Sequence, residues 1–159
     1  MSRHAIRKQL FMLLFRADFF GVDEIPEQEE RFFTQKDIED REKVVDLWAE
    51  DEPEEESEER FSEEDKKEIS DKFHSIMEIL PEIDGQLNEK MSGWSTDRIG
   101  KVELTILRIA LYEMNEEKKV SCAVAINEAV ELAKKYGTEK SAEFVICFWQ
   151  FNFLSKKRE

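Results

Sequence analysis

Residues 94–114, WSTDRIGKVELTILRIALYEM, and residues 120–137, VSCAVAINEAVELAKKYG, decide how this chain reads. Apolar side chains recur at helical spacing through both halves, and a short polar gap separates them. Charged and amide residues nevertheless stand inside the apolar runs, at Arg108, Asn127 and Glu128. Burying such groups is costly unless each finds a partner. The pattern therefore predicts a packed helical pair, over residues 101–114 and 121–136, whose polar positions are paired. Gly137 is placed to stop the second helix.

Outward from this block, the N-terminal residues predict a helix over 3–20 with Ser2 as its cap. Ile6, Leu10, Leu13 and Leu14 form its apolar stripe, Phe11 and Phe15 flank it, and Gly21 ends it. Arg3 and Arg7 are four apart and share a face. A shorter helix is expected over 27–33. Thr34 to Asp37 read as the cap of a third, running to about 49 with Ile38, Val45 and Trp48 inward. Ser62 caps the next helix, whose first turn carries Glu63, Glu64 and Asp65. Ile69, Phe73, Ile76 and Leu80 are its expected buried stripe. Pro81 opens another helical piece to about 91. A last helix follows Thr138 and runs to about 154, with Phe144, Phe148 and Phe151 at helical spacing.

The 159 residues suit one domain with a single core, over residues 1–159. Only 5 Gly and 3 Pro are present, too few turn residues for a strand-rich fold. About seven helices are counted, an all-α architecture. No apolar run approaches the roughly 20 residues that span a bilayer, and no signal-peptide pattern opens the chain. No membrane partner is expected. Cys122 and Cys147 lie 25 positions apart with no second ligand near either. They suit a reducing cytosol, hence a cytoplasmic protein, and offer no metal site.

A net charge of −14 argues at first against a nucleic-acid partner. The distribution of that charge along the chain points the other way. Residues 23–60 hold 18 acidic and 5 basic side chains, a net of −13. Residues 1–22 carry Arg3, Arg7, Lys8 and Arg16 against Asp18, a net of +3. Residues 51–59 alone hold seven carboxylates with Pro53 among them, and residues 50–60 are expected to form a flexible acidic loop. Salt screens exposed charges beyond about 10 Å, so such a loop need not repel RNA from a distant basic patch.

The central block resembles the NusB family of bacterial transcription antitermination factors. The residues that carry the resemblance are Trp94, Asp97, Arg98, Gly100, Lys101 and Val102, then Ile106 to Arg108, Ala110, Tyr112 and Glu113. It resumes at Val124 to Ala129, Glu131 to Lys134, Tyr136 and Gly137, and closes at Phe144 and Val145. The resemblance implies the NusB fold, two small helical bundles packed as one domain. It implies binding of boxA-like single-stranded RNA as a heterodimer with ribosomal protein NusE, and through that pair an indirect role on RNA polymerase elongation complexes transcribing ribosomal RNA.

The resemblance also assigns residues. An arginine-rich start to the first helix contacts RNA in the family, and Arg3, His4 and Arg7 fall on that stretch. The patch is thinner than the family's usual run of arginines, so weaker RNA affinity is expected. Phe15 stands where the family commonly has a tyrosine; Tyr136 and Phe144 flank the loop before the last helix. Bases stack on such rings for about 1–3 kcal/mol each, although an aromatic at helical spacing is ordinarily core. Lys140 stands where the family often has an acidic residue, and a lysine there adds attraction to RNA. Asp97 and Glu103 fall in the neighbourhood that contributes to NusE docking.

Nothing in the chain points to catalysis. His4 and His74 neighbour no nucleophile, no phosphate-cradling glycine loop exists, and the carboxylate run has no fixed geometry. The expectation is a non-enzyme without a cofactor. Two alternatives stand beside the RNA reading. One is a NusB-like protein-interaction module without RNA binding; the other is a targeting module of an RNA methyltransferase, which would need a catalytic extension. The chain departs from the family after Val145, where Ile146 to Leu154 place four Phe or Trp residues within six positions. This tail reads equally as a divergent core helix, a self-association surface supporting a homodimer, or the product of a reading-frame change.

Overall fold

In the computed structural model, which describes residues 1–41, 61–91, 98–117 and 120–150, the regular elements are helical. Among the described residues there are seven α-helices and no strand, in line with the all-α expectation. They are α1 (Arg3–Ala17), α2 (Ile25–Arg41), α3 (Glu63–Glu78), α4 (Leu80–Lys90), α5 (Lys101–Glu116), α6 (Cys122–Tyr136) and α7 (Glu139–Trp149), with a 3-10 turn at Val22–Glu24. The chain divides into two compact units, Met1–Lys72 and Phe73–Glu159, and α3 runs through the division.

In the first unit, α1 starts where expected: the Ser2 hydroxyl accepts from the Ala5 N–H at 3.1 Å. The helix ends at Ala17, three residues short of the predicted end, and leaves Phe19 58% exposed in the turn that follows. Helix α2 is one continuous helix where two were predicted. Thr34 therefore sits inside it instead of capping a third helix. Ser and Thr are tolerated within helices, so a cap-like spacing alone does not enforce a break. Arg16 Nε donates to Gln28 Oε1 at 3.0 Å and ties α1 to α2. Ser70 donates to Glu29 Oε1 at 2.5 Å and ties α3 to α2.

Ser62 caps α3 reciprocally. The Asp65 N–H donates to the Ser62 hydroxyl at 3.1 Å, and the Ser62 N–H donates to Asp65 Oδ2 at 3.0 Å. That backbone donor, joined by the α-amino group of Met1 at 3.5 Å, holds the Asp65 carboxyl below the usual carboxylate range. Of the stripe expected along α3, Ile69, Phe73 and Ile76 are buried and Leu80 is half-buried. Residues 42–60, with Val45, Trp48 and the acidic loop, lie outside the described residues, as do the side chain of Ile38 and the tail beyond 150.

The second unit is built around α5, in which all ten residues from Leu104 to Glu113 are buried. A helix enclosed on every side is a central one, and α4, α6 and α7 all pack against it. The polar member expected to need a partner has one. Arg108 Nε and Nη2 grip Asp84 Oδ1 and Oδ2 at 2.8 and 2.7 Å, a two-pronged pair across to α4. Asn127, for which a buried partner was also expected, is exposed on the outer face of α6, and Glu128 is half-buried. Ala125, Ala129 and Ala133 line the buried face of α6, and such small residues allow close helix approach. Phe148 and Trp149 are buried and meet edge to face at 4.8 Å, so one face of the last helix is core through Trp149, while Ile146 and Cys147 are exposed.

Candidate nucleic-acid interface

The entrance of α7 shows how the chain shapes a site. Thr138 is its cap: the Ser141 N–H donates to Thr138 Oγ1 at 3.4 Å, and the Thr138 N–H donates to Ser141 Oγ at 3.0 Å. Gly137 ends α6 as expected, but its φ of −104° is not left-handed. Glycine is needed there for space. A Cβ on Gly137 would lie 2.5 Å from both Cβ and Oγ of Ser141 and 2.8 Å from the Ala133 carbonyl oxygen.

Ser141 is only 3% exposed, and its hydroxyl reaches beyond its own turn. It donates to Glu103 Oε1 at 2.5 Å, joining the first turn of α7 to the first turn of α5. The other carboxylate oxygen of Glu103 folds back over Gly100, so closely that a Cβ there would collide with it. Between these two helix entrances lies an open cleft of about 290 Å³, lined by Arg98, Ile99, Gly100, Glu103, Lys140 and Phe144.

The cleft offers two cations, one aromatic ring and one carboxylate. Arg98 and Lys140 are exposed, and neither forms an ion pair with a carboxylate among the described residues. Phe144 is half-buried and stacks on Phe148 at 6.5 Å between centroids, so its ring has a buried support and an accessible side. Cations for phosphates beside a supported ring for a base are the parts a single-stranded nucleic-acid site requires.

Of the residues singled out from the sequence, Glu103, Lys140 and Phe144 come together in this cleft. Tyr136 closes α6 just before it, half-buried, with the Lys135 ammonium 6.0 Å from its ring centroid. Arg3, His4, Arg7 and Phe15 belong to the first unit. Arg3 and His4 are exposed, whereas Arg7 is 6% exposed and makes contacts within the protein. Arg7 stands on the core face of the helix: Leu10, Phe11 and Leu14 follow it at three, four and seven residues. Phe15 is half-buried between Phe11, at 5.9 Å, and Phe19, at 5.2 Å. Asp97 lies outside the described residues. Sequence reasoning did not single out Arg98 or Ser141 as site residues. Thr138 marked the start of the last helix, but nothing local signalled the bond from Ser141 to a carboxylate 38 residues earlier.

Among the described residues no helix is long and apolar enough to cross a membrane, and no group of three or more His, Cys, Asp or Glu could hold a metal ion.

Comparison with known proteins gives a consistent result. The model of the NusB family matches residues 4–145. Transcription antitermination protein NusB of Agathobacter rectalis is 37% identical over 145 residues, covering 91% of this chain and 94% of that protein. The protein of the same name from Lachnoclostridium phytofermentans is 38% identical over 91% of this chain and 93% of its own length. Among solved structures, T. maritima NusB superposes with a TM-score of 0.68 at 28% identity, covering 93% of this chain and 87% of that one. A chain in the crystal structure of a plectonemic RNA supercoil shares the fold at a TM-score of 0.71 and 20% identity, over 98% of both chains.

Proposed function

Because the chain belongs to the NusB family, we propose that it is a non-enzymatic, cytoplasmic transcription antitermination factor that binds boxA-like single-stranded RNA. The observation that carries the RNA reading is the cleft at the entrances of α5 and α7, where Arg98, Lys140 and Phe144 converge. Lys140 and Arg98 meet phosphates, and Phe144 stacks a base, with Tyr136 a second ring nearby. Arg3 and His4 add a basic contact on the first unit; Arg7, being buried, supports that helix more than it touches RNA.

The protein acts as a heterodimer with ribosomal protein NusE, docked near Asp97 and Glu103, and the pair joins elongation complexes transcribing ribosomal RNA. Neither RNA contact need be tight alone, since a tethered second contact raises effective affinity. A filter-binding titration with boxA-like RNA, with and without NusE, tests the reading. Salt-sensitive binding that tightens with NusE is expected. Association with NusE but no salt-sensitive RNA binding in either condition would leave a protein-interaction module instead.

A further inference from the structure

We propose that Ser141 is a positioning residue for the cleft, holding the Glu103 carboxylate against the wall so that Lys140 and Arg98 remain open to an anionic ligand. This rests on the RNA reading above for the identity of the ligand, though not for the geometry.

Three charged residues line one cleft of about 290 Å³, two positive and one negative. A carboxylate and two flexible cations in such a space attract one another, and pairing would offset part of the site's charge. They do not pair. Glu103 is held at the two helix entrances, with one oxygen taken by Ser141 at 2.5 Å and the other turned over Gly100. Hydrogen bonds to an ionised acceptor are among the strong ones, and Ser141 is 3% exposed, where water competes least.

Ser141 is itself held from two directions. Its hydroxyl accepts from the Thr138 N–H at 3.0 Å, which leaves its single proton directed to Glu103. The missing side chain at Gly137 gives the serine its room. The cap of α7, the Glu103 carboxylate and the turn bearing Lys140 are therefore one connected unit. Gly100 completes it, because a Cβ there would collide with the Glu103 carboxylate and displace it.

The test is a two-by-two set: wild type, Ser141→Ala, Glu103→Gln, and both together, each titrated with boxA-like RNA by filter binding at several salt concentrations. In wild-type background, Ser141→Ala releases Glu103 to pair with Lys140 or Arg98. RNA binding should weaken on the order of fivefold and the salt slope should fall by about one. With Gln at 103 there is no charge to release, so adding Ser141→Ala should change affinity less than about twofold. An equal loss in both backgrounds, or no loss in either, would overturn the proposal, since Ser141 would then act only on the fold of its turn.

Amine acylation of Lys140, followed by mass spectrometry on RNA-free protein, gives a second readout. Labelling should slow in Ser141→Ala and recover in the double variant. If no variant, wild type included, binds RNA, the RNA reading fails; the labelling pattern still decides whether Ser141 holds Glu103 off the lysine.

Discussion

Two helices of this protein open with the same local device, one in each unit, and the device does different work in each. At α3 the Ser62 and Asp65 pair closes on itself at the surface, and the carboxylate is met from outside by the α-amino group of Met1. At α7 the Thr138 and Ser141 pair is half-buried, and the spare proton of Ser141 is passed to another helix. A cap that ends in a carboxylate can only accept. One that ends in a hydroxyl both accepts and donates, so it can link its own helix to a neighbour. That one difference makes the first cap a stabiliser of α3 and the second a part of the cleft.

The comparison breaks most readily at Gly137. Gly137→Ala places a Cβ against Ser141 and the Ala133 carbonyl, and backbone cannot give way cheaply. We expect a loss of about 1–3 kcal/mol in urea denaturation, together with weaker RNA binding. A variant as stable as the parent would show that the α7 entrance is not tightly packed.

Next comes Ser62→Ala, which removes the surface cap alone. It should cost about 1 kcal/mol in the same assay and leave RNA affinity and its salt slope unchanged, because no part of the cleft depends on Ser62. Any change in the salt slope would mean the two caps are not independent.

The smallest effect is the pH dependence of the first cap. The folded-state pKa of Asp65 is depressed by the Ser62 N–H and the neighbouring amine. Its contribution is therefore fully present above the ordinary carboxylate value and is lost as pH falls through the lowered value. The group is close to solvent, so the contribution is on the order of 0.5 kcal/mol. Stability curves of wild type and Asp65→Asn should converge as pH is lowered through that range. A gap that persisted into strong acid would place the stabilisation elsewhere.

Local chemistry is what the sequence expressed clearly. Ser2, Ser62 and Thr138 each mark a helix start because a cap hydroxyl bonds backbone only three residues on. Ile69, Phe73 and Ile76 are found buried because helical spacing fixes their common face. Helix ends were less legible: α1 stops at Ala17 and α2 continues through Thr34, outcomes that depend on packing against other elements. Arg7 shows the same limit. Its spacing from Arg3 suggests a shared face, yet Arg3 is exposed and Arg7 buried. Exposure depends on what covers each position, and the apolar residues that follow Arg7 were the overlooked signal. For Arg108 the need for a partner was readable, whereas Asp84 as that partner was not, since 24 residues separate them. The cleft was visible only in fragments. Lys140, Phe144 and Glu103 were each singled out, but for two different surfaces, and their convergence is a product of how α5 and α7 enter the unit.

Helix α5 carries a further consequence. From Leu104 onward it is enclosed, and a substitution there must satisfy several neighbouring helices at once. Just ahead of that stretch, Arg98, Ile99, Gly100 and Glu103 line the cleft. Substitution thus meets two regimes near one rod: an interior in which almost any change is penalised, and an entrance where Gly100 and Glu103 constrain each other while Arg98 is exposed. A change of side chain at Arg98 can therefore retune the ligand preference of the cleft without renegotiating the core a few residues away.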